Sequence, residues 1–251
     1  MLLAILGALV IGITLGLLGS GGSLITVPVL LYILKRPEKL AIAESLAIVG
    51  TVALAGAIPY IMRRQVKGAS IIFFGFPGML GACLGGCGPY FITEGIQLTL
   101  FAFLIVVVGL VMFFQPPFFS QINAADQPVW QIVLVGFLVG CLTGFLGVGG
   151  GFFIVPSLVI FYSLSMSLAV GTSLVIIAMN SFTGFFQQIY FLSVLELSVD
   201  WQIIGVLSLI GVLGSFSAGY FSHYIPQIYV RKSFGVTVFL LGFYVLAKHF
   251  I

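Results

Sequence analysis

"GITLGLLGSGGSLITVPVL" at residues 12–30 and "GCLTGFLGVGGGFFIVPSL" at residues 140–158 are the same text written twice. Laid together at an offset of 128, nine of the nineteen positions are identical, among them Gly12/Gly140, Gly16/Gly144, Gly19/Gly147, Gly21/Gly149, Gly22/Gly150 and Pro28/Pro156. The same offset pairs "AESLAI" (43–48) with "GTSLVI" (171–176). Five extra residues then enter, and "GMLGA" (78–82) pairs with "GVLGS" (211–215) at offset 133. Chance supplies isolated glycine matches, but not Gly, Pro and Ser-Leu in one register. Self-similarity at a fixed spacing marks an internal duplication. The expected organisation is two halves, 1–114 and 129–251, joined by a polar loop at 115–128.

Composition sets the solvent of this duplicated chain. Of its 251 residues 61% are hydrophobic and 6% charged, with a mean hydropathy of +1.30. A soluble domain carries roughly 25% charged residues, and so few charges cannot clothe a globule of this size. Residues 1–34, 68–93, 95–125 and 127–195 contain no charge at all, and each run exceeds the ~18 residues that mark a membrane span. The runs are continuous instead of alternating, which favours helices over a barrel. The expected class is an all-α, multi-pass integral membrane protein of about 8–10 helical segments. No basic region precedes the first apolar run, so residues 1–18 do not read as a signal peptide. Nine scattered basic residues make no nucleic-acid footprint.

The glycine clusters 19–23 and 147–151 interrupt apolar runs, and each interior Gly costs a helix about 1 kcal/mol relative to Ala. Matched interruptions in two halves point to discontinuous helices around a midplane binding site. Helices restarting near Gly22 and Gly150 would aim positive ends at an anion, without Lys or Arg. The candidate site residues are Gly19, Ser20, Gly21, Gly22 and Ser23 in one half, with Gly147, Gly149, Gly150 and Gly151 in the other. Thr26 and Thr143 add hydroxyls nearby, and Ser45, Thr172 and Ser173 fall at the second matched motif. Asn180, Thr183, Gln187 and Gln188 form a polar stripe at roughly helical spacing. The competing reading is packing: Gly12/Gly16 and Gly140/Gly144 are G-x-x-x-G helix contacts.

Charge addresses orientation. Loops 35–39 and 63–67 carry three basic residues each, whereas their repeat partners at 163–167 and 191–200 carry none. Since cytoplasmic loops gather Lys and Arg, this pattern predicts inverted repeats. It also predicts that 40–62, between two basic loops, is a broken or re-entrant pair of half-helices, consistent with Gly50, Gly56 and Pro59. The alternative is five short passes per half with one misplaced basic loop. Glu44 is a carboxylate at membrane depth, a costly placement that usually has a function. It is a candidate for proton coupling, or an acid at the start of a helix. Arg63 and Arg64 read as headgroup anchors, and His223 and His249 as interfacial.

Cys83 and Cys87 stand one helical turn apart without a His, which reads as small-residue packing and not a metal site. "GVGGGF" lacks the third Gly of a dinucleotide fingerprint, and no "GK[ST]" follows for a P-loop. No cofactor and no enzyme activity are expected.

"GLLGSGGSLITVPVL" and "GFLGVGGGFFIVPSL", each followed by a Ser-Leu motif, resemble the duplicated signature of the TauE/SafE (sulfite exporter-like) membrane transporters. The resemblance extends to "RRQVKG" (63–68) and "VDW" (199–201). It implies secondary transport of a small sulfur oxyanion or organosulfonate across the cytoplasmic (inner) membrane. It carries glycine roles onto Gly19, Gly21, Gly22, Gly147, Gly149 and Gly150, and a small-hydroxyl role onto Ser45, Thr172 and Ser173. The first half departs from the pattern by reading "ESL" at 44–46 in place of "TSL". The expected function is an anion carrier working by alternating access. Its partners are the anion, the bilayer and, as a candidate, a second copy of the chain. An anion channel and a non-transporting scaffold are the rival readings.

Overall fold

The computed structural model describes residues 2–19, 21–86, 106, 128–146, 150–162, 164–224, 232 and 236. Among these there is no strand. Helix α1 (Leu2–Leu18) stops where Gly19 turns left-handed, φ +73°, and its N–H closes the last turn on the Leu15 carbonyl at 2.9 Å. A left-handed Gly after the last turn is a common helix stop, because only Gly takes that conformation without a Cβ penalty. Helix α2 (Gly21–Pro28) then runs back along α1. A Cβ on Gly22 would stand 2.2 Å from the Ile11 carbonyl oxygen, and one on Gly7 would stand 3.2 Å from Val29 Cγ2. Beyond Pro28 the chain widens into a π-helical turn, Val29–Ile33. The first glycine cluster therefore makes the tip of a helical hairpin that enters and leaves at one end of the bundle.

The second half repeats the plan. Helix α5 (Val129–Leu146) is followed by a break and α6 (Gly151–Phe161), with Gly150 at φ +69° capping the restart. Ser20, Gly147 and Gly149 lie outside the described residues, as do Cys87 and all of the 115–128 loop but Pro128. The other paired elements are α3 (Glu38–Met62) with α7 (Met166–Val194), and α4 (Gly68–Gly85) with α8 (Trp201–Phe221). In α4 a π-helical stretch, Ile71–Gly75, precedes Pro77 and absorbs the hydrogen bond that proline cannot make.

The expectation for 40–62 is overturned. α3 is one continuous helix of 25 residues, so the basic loops 35–39 and 63–67 lie at opposite ends of it. The residues taken as breakers are absorbed by packing. A Cβ on Gly50 would meet the Phe182 ring at 3.2 Å, and one on Gly56 would sit 2.1 Å from Ser215 Oγ. Pro59 falls in the last turn. Arg63 serves the fold: it donates to the Gly219 and Tyr220 carbonyls at 3.2 and 2.6 Å, capping the end of α8. A cation at a helix C-terminus is favourable wherever the membrane lies, and that is why this loop misleads a count of basic residues.

α3 and α7 form the centre and run antiparallel. Leu192, near the end of α7, packs with Leu40 and Ala43 at the start of α3. At the other end a Cβ on Gly171 would lie 2.3 Å from the Gln65 carbonyl oxygen. Around them the contacts of the two halves are exchanged. A Cβ on Gly12 of α1 would strike Gly211 O of α8 at 2.2 Å; one on its counterpart Gly140 of α5 would strike Gly78 O of α4 at 2.1 Å. A Cβ on Gly16 would lie 2.3 Å from Ser215 O, and one on Gly144 would lie 2.1 Å from Ala82 O. Small residues allow such backbone approach, which in lipid drives helix association. Outward stand Leu54, Ile58 and Ile61 on α3, with Leu209, Leu213 and Phe216 on α8, all exposed. In water such stripes would cost about 25 cal/mol per Å²; against lipid tails they cost nothing. α3, α4, α7 and α8 are each long and apolar enough to cross a bilayer.

Candidate functional site

The second matched motif, at 44–45 and 172–173, holds the ends of the central helix pair. Glu44 is fully buried, yet both its oxygens are engaged. Arg36 donates from Nη2 to Oε1 at 2.5 Å and from Nε to Oε2 at 3.2 Å, and the Asp200 N–H donates to Oε1 at 3.0 Å. The bond to Glu44 in turn holds the Arg36 guanidinium above its ordinary pKa. Asp200 itself caps α8, accepting from Gln202 N–H at 3.0 Å and Ile203 N–H at 3.2 Å. One cluster thus ties the 35–37 loop, α3 and the start of α8 together. At the opposite end Thr172, the repeat counterpart of Glu44, accepts at Oγ1 from the Lys67 N–H at 3.0 Å. Lys67 is the counterpart of Asp200, so the same backbone-to-side-chain tie is made twice, once with a carboxylate and an arginine and once with a neutral hydroxyl.

Ser173 joins the first hairpin tip to α7, its Oγ donating to Gly19 O at 3.2 Å and to Val170 O at 2.8 Å. Ser45 bonds its own helix at Ile42 O, 2.8 Å away. Thr26 does the same at Gly22 O, 2.8 Å, and Ser23 is buried within α2. Gly21 and Gly151 are the first residues of α2 and α6. The hydroxyls at 45, 172 and 173 therefore have described partners within the protein.

The polar stripe of α7 does something different. Asn180, Gln187 and Gln188 face Thr143 and Gly144 of α5 and Gly86 at the end of α4 across a cavity of about 10 Å³, room for roughly one water. Asn180 is only 3% exposed, and neither Nδ2 nor Oδ1 finds a hydrogen-bond partner among the described residues. A buried amide left this way costs about 1–3 kcal/mol per group, an outlay a stable core avoids. Gln187 Nε2 donates to Cys83 O at 2.8 Å, which ties α7 to the last turn of α4. Thr143 abuts Gly150, where a Cβ would lie 1.8 Å from Thr143 Cγ2, so this cavity is next to the second hairpin tip. Spacing alone exposed the stripe. Its importance was hidden, because which of its members lack partners depends on α4 and α5, which pack from elsewhere in the chain.

Residues 4–245 match the family described as Sulfite exporter TauE/SafE. The chain belongs to that family. A probable membrane transporter protein of Xylella fastidiosa (strain 9a5c) is 32% identical over 246 residues, covering 94% of this chain and 91% of the relative. The probable membrane transporter protein YunE of Bacillus subtilis (strain 168) is 27% identical over 208 residues, covering 73% and 76%. A third, MJ0441 of Methanocaldococcus jannaschii, is 26% identical over 126 residues, 48% of this chain and 45% of its own. No solved structure matches. Family membership and the apolar helices make this TauE/SafE protein a multi-pass membrane transporter.

Proposed function

We propose that this TauE/SafE protein is a secondary transporter of a small sulfur-containing oxyanion or organosulfonate. It resides in the cytoplasmic (inner) membrane and works by alternating access between two inverted repeats. The observation that carries the reading is the pair of glycine-tipped hairpins, entered from opposite ends of an antiparallel α3–α7 centre, with a buried, incompletely bonded polar cavity beside one tip. If α3 and α7 cross the bilayer, the exchange of contacts between the halves is a rotation about an axis in the membrane plane, which is the geometry of inverted-repeat carriers. Rocking of one half against the other would break the tie at one end and keep the tie at the other.

Glu44 is the carboxylate that proton coupling would use. Its pair with Arg36 ties the 35–37 loop to α3, so freeing this carboxylate and opening that end would be one event. Purified protein in proteoliposomes tests all of this: uptake of sulfite, sulfate, sulfoacetate and thiosulfate, with and without a pH gradient. Saturable uptake of a sulfur anion supports the carrier, currents far above carrier rates identify a channel, and no uptake or binding of any of them refutes transport of this class. A Glu44→Gln protein loses the pH-gradient dependence if that residue carries the proton and keeps it if it is a latch only.

A further inference from the structure

The two halves present the same cavity position twice, and the sequence fills one of them. The counterparts of Thr143, Asn180, Gln187 and Gln188 are Leu15, Val52, Pro59 and Tyr60. Leu15 and Val52 are fully buried. Tyr60, 2% exposed, donates its hydroxyl to Gly16 O at 2.9 Å, and its ring and Pro59 lie 3.3–3.4 Å from where a Cβ of Gly219 would be. That side is closed by an aromatic plug with its polar tip satisfied. On the other side stand neutral amides, an Asn180 without partners, and a void.

We infer that the transporter has a single substrate site, off the pseudo-twofold axis at the α4–α5–α7 cavity, built to take a singly charged oxyanion on neutral amide donors. This rests on the carrier reading above and adds to it the place and the charge of the cargo. None of the described residues lining the cavity carries a charge. The penalty for removing an ion from water grows with the square of its charge, so for a dianion it is roughly four times that for a monoanion, and the described lining offers no cation to offset the difference. Asn180 Nδ2 offers two N–H donors, enough to hold two oxygens of one small sulfonate or hydrogensulfite. The cavity holds about one water in this conformation, so the structure is the contracted form of the site. Its walls are Gly86, Gly144 and Gly184, which let it widen by small helix movements without burying side chains against one another.

The test uses full-length protein and two probes: methanesulfonate, a permanent monoanion, and sulfate, a dianion. Equilibrium binding in detergent and uptake into proteoliposomes are both measured. Wild type should bind and move methanesulfonate at least tenfold better than sulfate. Asn180→Val, which installs the residue of the plugged half, should raise the Kd and KM for methanesulfonate at least tenfold while eluting as wild type on size exclusion. Val52→Asn at the counterpart should leave both within about twofold. Asn180→Ser, which keeps a donor in less volume, should recover part of the loss. An Asn180→Val protein that binds like wild type overturns the site, and equal or tighter sulfate binding overturns the charge argument. Binding of methanesulfonate without any uptake would leave the site standing and refute the carrier instead.

Discussion

Alanine at position 140 puts the duplicated helix crossing to a quantitative test. A Cβ there would lie 2.1 Å from Gly78 O, where a carbon–oxygen contact needs about 3.3 Å. Neither partner can yield by rotating a side chain, because the atom struck is backbone. α4 and α5 must therefore part by about 1 Å. A gap of 0.5–1 Å forfeits a quarter to a half of each dispersion contact, each worth about 0.1–0.2 kcal/mol. Over the few tens of atom pairs in such an interface the loss is ~2 kcal/mol, within the usual range for overpacking. For a chain of this size that is a fall in Tm of about 4–8 °C, read by thermal unfolding in detergent. The internal control is Gly205→Ala on α8, where nothing lies within 4 Å of the new methyl. There the better helix propensity of Ala leaves Tm unchanged or raises it by up to ~1 kcal/mol equivalent. The reasoning is refuted if Gly140→Ala melts with wild type, or if the two substitutions cost the same.

Three further outcomes follow from the same structure. Arg36→Ala strands a buried carboxylate and should cost ~3 kcal/mol; combining it with Glu44→Gln should restore more than half, measured as a double-mutant cycle in Tm. Gly19→Ala meets both a left-handed backbone and a Ser173 Oγ 2.7 Å away, so a loss of ~2–3 kcal/mol is expected, visible as reduced yield of folded protein by size exclusion. Asp200→Ala removes the cap of α8 and should cost ~1 kcal/mol, with Asp200→Asn nearly neutral in the same melting assay.

The duplication and the hairpin tips could be read from sequence because glycine and proline act locally: a left-handed stop at Gly19 and a cap at Gly150 need no distant partner. The continuity of α3 could not. Gly50 and Gly56 look like breakers until Phe182 and Ser215 are brought against them from more than a hundred residues away. The role of Glu44 was half visible. Its cost at membrane depth is a sequence fact, but Arg36 and the Asp200 N–H that satisfy it come from a loop and from the other half. Asn180 was legible as one member of a stripe and not as its unbonded member.

The paired ties at 44 and 172 have a consequence of their own. Duplication supplied two equal ties, and substitution has made them of unlike material: one is fastened by ions, the other by a neutral hydrogen bond. Salt screens exposed charges strongly and buried pairs weakly, so with Glu44 fully buried neither tie behaves like a surface ion pair. In the carrier proposed above, the two ends would therefore open at unequal cost, an asymmetry present before any cargo arrives.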